Sequence, residues 1–143
     1  MEADLQQKGM AIARTVTLAF QRALVVMDYL ALTEVIKTVV KAEPDIIYGM
    51  ALKQDGIAVV HSDPSKSGLT FNHRLDQQAL AVKTITSVKR NHKSKKIIEI
   101  ISPIEGASGR WGVIRFGLSR ERLDSAIAKQ EQSAKQKMQQ DIT

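Results

Sequence analysis

The tripeptide His61-Ser62-Asp63 places three residue types with catalytic potential next to one another. A serine nucleophile needs a histidine base within hydrogen-bond distance. If the three residues end a β-strand, their side chains alternate between faces, and Ser62 points away from the other two. The sequence also has no Gly-rich phosphate loop, no H-E-x-x-H and no G-x-S-x-G. We therefore expect no catalytic residues and predict that the domain is not an enzyme.

His61 and Asp63 share one face of such a strand, which leaves three uses open. They could form local hydrogen bonds at an Asp-Pro turn, contact a ligand, or bind a metal together with other ligands. We expect no metal site, because a closed site needs more ligands than this pair. The absence of cysteine excludes disulfides, thiolate metal sites and covalently attached c-type haem, and no cofactor is predicted.

Five other residues are candidates for ligand contact. His73 and Arg74 follow a loop rich in Ser, Pro and Gly, and Arg74 could grip a carboxylate or remain a solvated surface residue. Tyr48 and Trp111 lie on predicted strands, where an aromatic side chain is either core or the wall of a half-wet pocket. Strand alternation places Arg115 on the face of Trp111, as a pocket anchor or an edge charge. The sequence leaves each alternative open.

Helices are predicted before and after the region that contains these candidates. Residues 4–32 have one Gly and no Pro and predict one long helix. A second helix is expected to follow near Thr33, whose hydroxyl could cap it, and to stop before Pro44. Residues 120–141 are polar and predict a C-terminal output helix.

The region 33–119 holds the second helix, the predicted sheet and the pocket. Apolar runs at 46–52 and 57–62 flank Asp55-Gly56, a strong hairpin signal. A loop (62–72) and a short helix (76–84) precede strands at 86–90, 97–104 and 110–119. Short connections favour an antiparallel sheet, so residues 1–143 are predicted to form one α+β domain.

The long helix carries two apolar stripes, and a helix packed on one sheet needs only one. We expect one stripe to pack on the sheet of its own subunit and the other to face a second copy, which predicts a homodimer. The assignment of the stripes is a hypothesis. The dimer stripe is Ile12, Val16, Ala19, Ala23 and Val26, and the sheet stripe is Ala13, Phe20, Leu24 and Met27.

The formal net charge of +6 comes almost entirely from residues 89–96, which hold five Lys or Arg and no acid. This basic cluster is interpreted as a solvated hairpin tip, with contact to anionic lipid or nucleic acid as alternatives. No aromatic residue lies between Phe71 and Trp111 for bases to stack on, so no nucleic-acid partner is predicted. The sequence shows no bilayer-spanning run and no signal-peptide h-region, and it could be a domain cut from a longer membrane-anchored chain.

Two motifs resemble those of a known family. The run from Ile47 to Pro64, with Asp55-Gly56 at its turn and His61-Ser62-Asp63-Pro64 at its exit, is similar to the central hairpin of Cache domains. The segment Ser102-Pro103-Ile104, followed by residues 109–119 (GRWGVIRFGLS), is similar to the end of these domains. The order of the helices also agrees, so the resemblance covers essentially the whole chain.

Cache domains are PAS-like extracytoplasmic sensor modules of prokaryotic chemoreceptors, histidine kinases and cyclic-di-GMP enzymes. The resemblance implies an antiparallel sheet of about five strands, a long helix on one face, and a small-molecule pocket under the loop and short helix on the other. It implies a periplasmic part of an inner-membrane receptor whose flanking membrane helices are absent from this chain. It identifies no ligand. The alternative is an intracellular dimeric scaffold of roadblock or profilin-like type, with a closed core and no ligand.

Overall fold

The computed structural model describes residues 2–121 and 127–135 of the chain. The helices are α1 (Glu2–Val25), α2 (Tyr29–Ala42) and α3 (Arg74–Leu80), and a 3₁₀ turn covers Pro64–Lys66. The strands are β1 (Ile46–Lys53), β2 (Ala58–His61), β3 (Thr86–His92), β4 (Lys95–Gly106) and β5 (Gly109–Ser119). Residues 127–135 are helical, and the rest of the predicted helix 120–141 falls partly outside the described residues. No helix in the described ranges has the length and apolarity to cross a membrane.

The five strands form one sheet in the order β2-β1-β5-β4-β3, and every neighbouring pair is antiparallel. This confirms the predicted α+β class. The basic cluster forms the β3–β4 hairpin, whose two loop residues Lys93 and Ser94 both have positive φ, as a tight two-residue hairpin turn requires. The cluster therefore lies largely on paired strands as well as at the tip.

Helix α1 packs on one face of the sheet because its apolar residues meet those of β4 and β5. Ala13 and Phe20 are fully buried there, together with Ile100 and Leu118. Gly9 allows the close approach, since a Cβ at this position would lie 2.8 Å from a side-chain carbon of Ile100. The opposite face of the sheet is thus left for α3, the loop before it and the candidate site.

The prediction of one helix over 4–32 is wrong, because α1 ends at Val25. Met27 has φ 55°, which turns the chain, and Asp28 caps α2 by accepting a hydrogen bond from the Ala31 N–H at 3.0 Å. Thr33 is therefore not the cap; its hydroxyl donates to the Tyr29 carbonyl inside α2. A left-handed methionine has no sequence signal comparable to Gly or Pro, and the break was missed for that reason.

The two stripes of α1 are not divided as predicted. Val16 and Ala23, both assigned to the dimer stripe, are buried in the chain's own core. Met27, assigned to the sheet stripe, is 66% exposed. The physical reason is that α1 lies against both the sheet and α2, whose Val35 and Val39 pack on the same core. The second apolar surface is thus largely covered within one chain.

Candidate ligand-binding site

A cavity of about 290 Å³ opens on the face of the sheet opposite α1. Its floor is formed by β1, β4 and β5, and its walls by β2, the 3₁₀ turn, α3 and the β3–β4 hairpin. The floor carries charged side chains, and Met50 on the floor and Phe71 on the wall supply apolar surface. A pocket of this size with convergent polar groups is the usual form of a small-molecule site.

Strand register determines which side chains reach this floor. Tyr48 on β1, Gly117 on β5 and Glu99 on β4 are direct neighbours across three strands. Arg115 lies two residues before Gly117 and therefore on the same face, with Met50 as its neighbour on β1. The alternation of β-strands thus brings an arginine, a glutamate and a tyrosine from three separate segments to one place.

Arg115 is the centre of an ion-pair network and is only 5% exposed. Its Nε and Nη2 donate to the two carboxylate oxygens of Glu99 at 3.1 and 3.2 Å. Its Nη1 donates to Asp76 Oδ1 at 2.7 Å. Burial acts to lower the pKa of Arg115, but the charge of Glu99 and the hydrogen bonds to both carboxylates outweigh it and leave the pKa raised. Arg115 is therefore always charged.

Glu99 is 1% exposed and is fully hydrogen-bonded. Besides Arg115, it accepts from Arg90 Nε at 3.0 Å and from the Tyr48 hydroxyl. Four donors thus meet the roughly four acceptor positions of a carboxylate. Burial, followed by the charge of Glu99, raises the pKa of Tyr48 far above its ordinary value, so the phenol remains a donor. These four hydrogen bonds allow the Glu99 carboxylate to be buried.

His61 lines the cavity and is 4% exposed. Its Nδ1 accepts the N–H of Asp63 at 2.9 Å, and its ring stacks on Phe71 with centroids 6.0 Å apart. Burial and the charge of Lys66 lower its pKa, with Asp63 acting in the opposite direction. A neutral His61 with Nδ1 as acceptor carries its proton on Nε2, which makes that atom a donor.

Cationic and imidazole groups lie around the mouth of the cavity. Lys66 comes from the 3₁₀ turn, and His92 and Lys93 come from the β3–β4 hairpin. Burial and the charges of the two lysines lower the pKa of His92. Asp63 adds one acid, whose side chain accepts from the Ser65 N–H at 3.0 Å and caps the turn.

Four of the seven predicted contact residues line this cavity: Tyr48, His61, Asp63 and Arg115. His73 and Arg74 do not; both are exposed at the start of α3. His73 is the N-cap residue of α3, and its N–H donates to Asp76 Oδ2 at 3.1 Å.

The expected common face of Trp111 and Arg115 is wrong. Trp111 packs edge-on against Phe20 of α1, with ring centroids 5.3 Å apart, on the other side of the sheet. The pairing of β4 and β5 shifts where Ile104 opposes Gly112 and Glu105 opposes Arg110. This bulge leaves Trp111 as an extra residue and reverses its direction.

Sequence reasoning missed Asp76, Glu99 and Arg90. Glu99 had a usable signal, because it stands alone among four isoleucines in Ile97-Ile98-Glu99-Ile100-Ile101. A charge inside an apolar strand needs an opposite charge, and Arg115 in its own apolar strand was the matching candidate. Asp76 and Arg90 gave no such signal, because polar residues surround them.

A second cavity, of about 540 Å³, lies at the end of α1 on the opposite face. Its walls include Leu24, Met27, Val59 and Trp111, and its charged residues are Lys53 and Glu105. Both charged residues are exposed, so this cavity lacks the buried charged floor of the first one.

Neither a protein-family profile nor a curated protein sequence matches the chain. Solved structures do match. The sensor domain of Escherichia coli DcuS is 16% identical, with a TM-score of 0.66 over 88% of this chain and 96% of that one. The ligand-binding domain of the Campylobacter jejuni chemoreceptor Tlp3, in complex with 4-methylisoleucine, is 14% identical, with a TM-score of 0.70 over 89% of this chain.

This chain spans 56% of the Tlp3 domain, which is the larger protein. A further match is the extracellular domain of the putative histidine kinase mmHK1S-Z3, which is 15% identical with a TM-score of 0.64 and covers 89% of this chain and 56% of that one. The matched proteins are sensor, ligand-binding or extracellular domains of Cache or PAS-like type. The predicted fold is thus confirmed: the chain has the fold of Cache and PAS-like extracytoplasmic sensor domains.

Proposed function

We propose that this chain is the extracytoplasmic sensor domain of a transmembrane receptor and that it binds a small molecule in the cavity above Arg115. The fold it shares with chemoreceptor and histidine-kinase sensor domains supports the role. The observation that carries the proposal is the cavity of about 290 Å³ with its buried charged floor. A scaffold with a closed core, the alternative, has no use for such a cavity.

The charged floor also argues for a binding role rather than a purely structural one. Replacing a buried ion network with apolar residues of similar volume often leaves a protein as stable or more stable. Stability alone therefore does not account for Arg115, Glu99 and Asp76 at the base of an open cavity. Such a cluster of charges in a cleft is typical of functional sites.

The test is a thermal-shift screen against carboxylates, amino acids, amines, amides and sugars. A ligand at about 100 times its dissociation constant stabilises the folded state by about 2.7 kcal/mol and raises the melting temperature. Lys66→Trp places an indole at the mouth of this cavity, and Lys53→Trp does the same at the second cavity. We expect Lys66→Trp alone to abolish the shift. A panel without any shift, or one abolished only by Lys53→Trp, would contradict the proposal.

We also infer that α1 contributes to a homodimer. The surface left for the partner is smaller than the predicted dimer stripe, because Val16 and Ala23 are buried in the chain's own core. Of the predicted dimer residues, Ile12 and Ala19 are half-buried on α1, and Val26, one residue beyond the end of α1, is exposed. Leu18 and Val25, also apolar, are exposed beside them. Apolar side chains in one strip along a helix are typical of a helix–helix interface.

Sedimentation equilibrium tests the dimer. The wild type and an Ala81→Glu control, at an exposed position directly after α3 on the other face of the sheet, are expected to have the dimer mass, whereas Ala19→Glu is expected to be monomeric. A charge forced into an apolar interface without a partner strongly disfavours association. Monomer mass for the wild type at micromolar concentration would refute the inference.

A further inference from the structure

Asp76 ties the short helix α3 to the sheet. Its Oδ1 accepts from Arg115 Nη1 at 2.7 Å, and its Oδ2 accepts the His73 N–H at 3.1 Å. Asp76 is 8% exposed, so this ion pair is shielded from water. Helix α3 has only seven residues, too few to be stable alone, and depends on its contacts with the body.

The far end of α3 is held differently. Ala79 and Leu80 are buried in the apolar cluster that also contains Met50 and Val113. The helix therefore has an apolar attachment at its C-terminal end and an ionic one at its N-terminal end, where it borders the cavity. Loss of the ionic contact would free one end of α3 while the other remained packed.

Hydrogen-bond capacity at the floor favours an anionic ligand. Glu99 already accepts four hydrogen bonds, so it offers little to a donor. Arg115 has five N–H groups, and three of them donate to acceptors within the described residues. The positive charges of Lys66 and Lys93 lie at the mouth and would attract an anion.

We infer that the ligand carries a carboxylate that takes the place of Asp76 on Arg115, and that this exchange releases the N-terminal end of α3 from the sheet. The inference rests on the proposed function and specifies its ligand class and its switch. In the ligand-free protein, Asp76 occupies the position of the ligand.

The exchange is close to balanced because one carboxylate replaces another on the same guanidinium. A switch needs two states of similar free energy, because a ligand shifts the equilibrium between them only by its differential affinity for the two states. A neutral or cationic molecule cannot compete with Asp76 for Arg115. A dicarboxylate or hydroxy acid could in addition use Lys66 or the Nε2–H of His61.

The first measurement compares carboxylates of two to six carbons with their primary amides by calorimetry, on the wild type, Asp76→Asn and Asp63→Asn. Both variants remove one negative charge from the lining of the same cavity, but only Asp76 contacts Arg115. We expect carboxylates to bind and amides not to bind. The affinity for carboxylates should rise about tenfold in Asp76→Asn. It should rise less in Asp63→Asn, because Asp63 does not contact Arg115 and repels an anion only through its charge in the cavity lining.

The second measurement is hydrogen exchange of residues 74–80, with residues 97–101 of β4 as the internal reference. A bound carboxylate should accelerate exchange in α3 of the wild type and leave β4 unchanged. Asp76→Asn without ligand should already show the faster exchange, and Asp63→Asn should not. The wild-type measurement stands even if a variant folds poorly.

The failures are distinguishable. Carboxylates that bind equally well to the wild type and Asp76→Asn, with α3 equally or better protected, would overturn the exchange and leave the sensor function intact. Binding of amines or amides but not of carboxylates would overturn both the ligand class and the exchange, and would leave the sensor function intact. The absence of any ligand in the wider screen would overturn the sensor function and the exchange together.

Discussion

Replacing Arg115 with methionine is expected to lower the free energy of unfolding by about 3–5 kcal/mol. Methionine has a similar length and fills the space, so the loss comes from charge rather than from a cavity. Glu99 would keep Arg90 and Tyr48 but lose two hydrogen bonds while remaining 1% exposed. Asp76 would lose its only ionic contact to the sheet among the described residues. Two buried acids without their central cation account for the size of the effect.

Urea denaturation measures the loss, and Arg110→Met on the same strand is the matched control. Arg110 pairs with the exposed Glu105 at 2.9 Å and donates to the Val82 carbonyl at 2.7 Å. A surface pair of this kind contributes about 1 kcal/mol or less. Adding Glu99→Gln to Arg115→Met should recover part of the stability, because it removes one uncompensated charge. Equal losses in the two single variants would show that burial of the network is not what matters.

Gly117→Ala is expected to cost about 1–3 kcal/mol, because the new methyl group would overlap the ring of Tyr48. Gly117 lies between Tyr48 and Glu99 in the cross-strand row. The missing side chain lets the phenol lie across β5 and donate to Glu99. A methyl group at this position would push the ring away and break that hydrogen bond, which would leave Glu99 with an open acceptor position.

A double-mutant cycle with Tyr48→Ala tests the cause. Without the ring there is nothing to overlap, so Gly117→Ala in that background should be neutral or stabilising by up to about 1 kcal/mol, the usual advantage of Ala over Gly in a strand. Denaturation of the four proteins gives the coupling energy. A loss of the same size in both backgrounds would show that the methyl group clashes with something other than Tyr48.

The strands and their pairing were predictable because each connection carries a local signal. Asp55-Gly56 marks the first hairpin, and the alternation in 109–119 places Arg115 on one face and Phe116 on the other. The order of the strands is not local, and no signal in the sequence predicted it. The family resemblance implied only an antiparallel sheet of about five strands, with the pocket on the face away from the long helix.

Only part of the site was predictable, because some of its residues carry a local signal and others do not. Arg115 and Tyr48 stood out as polar groups on strands, but their partner Glu99 lies 16 residues from Arg115 in a strand that reads as core. Only the register of β4 against β5 brings the two together. Trp111 was assigned to the wrong face of the sheet. Simple alternation does not account for the extra residue at the β4–β5 bulge, which reverses the direction of its side chain.

The position of Arg115 within β5 has a mechanical consequence. It stands four residues before Ser119, where the strand ends, and a strand rises about 3.3 Å per residue, so roughly 13 Å of extended backbone joins the two. The Ser119 N–H is bonded to the Asp45 carbonyl at 2.7 Å, which fixes the end of this segment to the connection between α2 and β1. Because an extended backbone cannot lengthen further, it transmits a displacement along its axis from one end of this segment to the other. A shift of Arg115 along the strand axis would therefore be carried to Ser119 and, through this hydrogen bond, to the connection between α2 and β1.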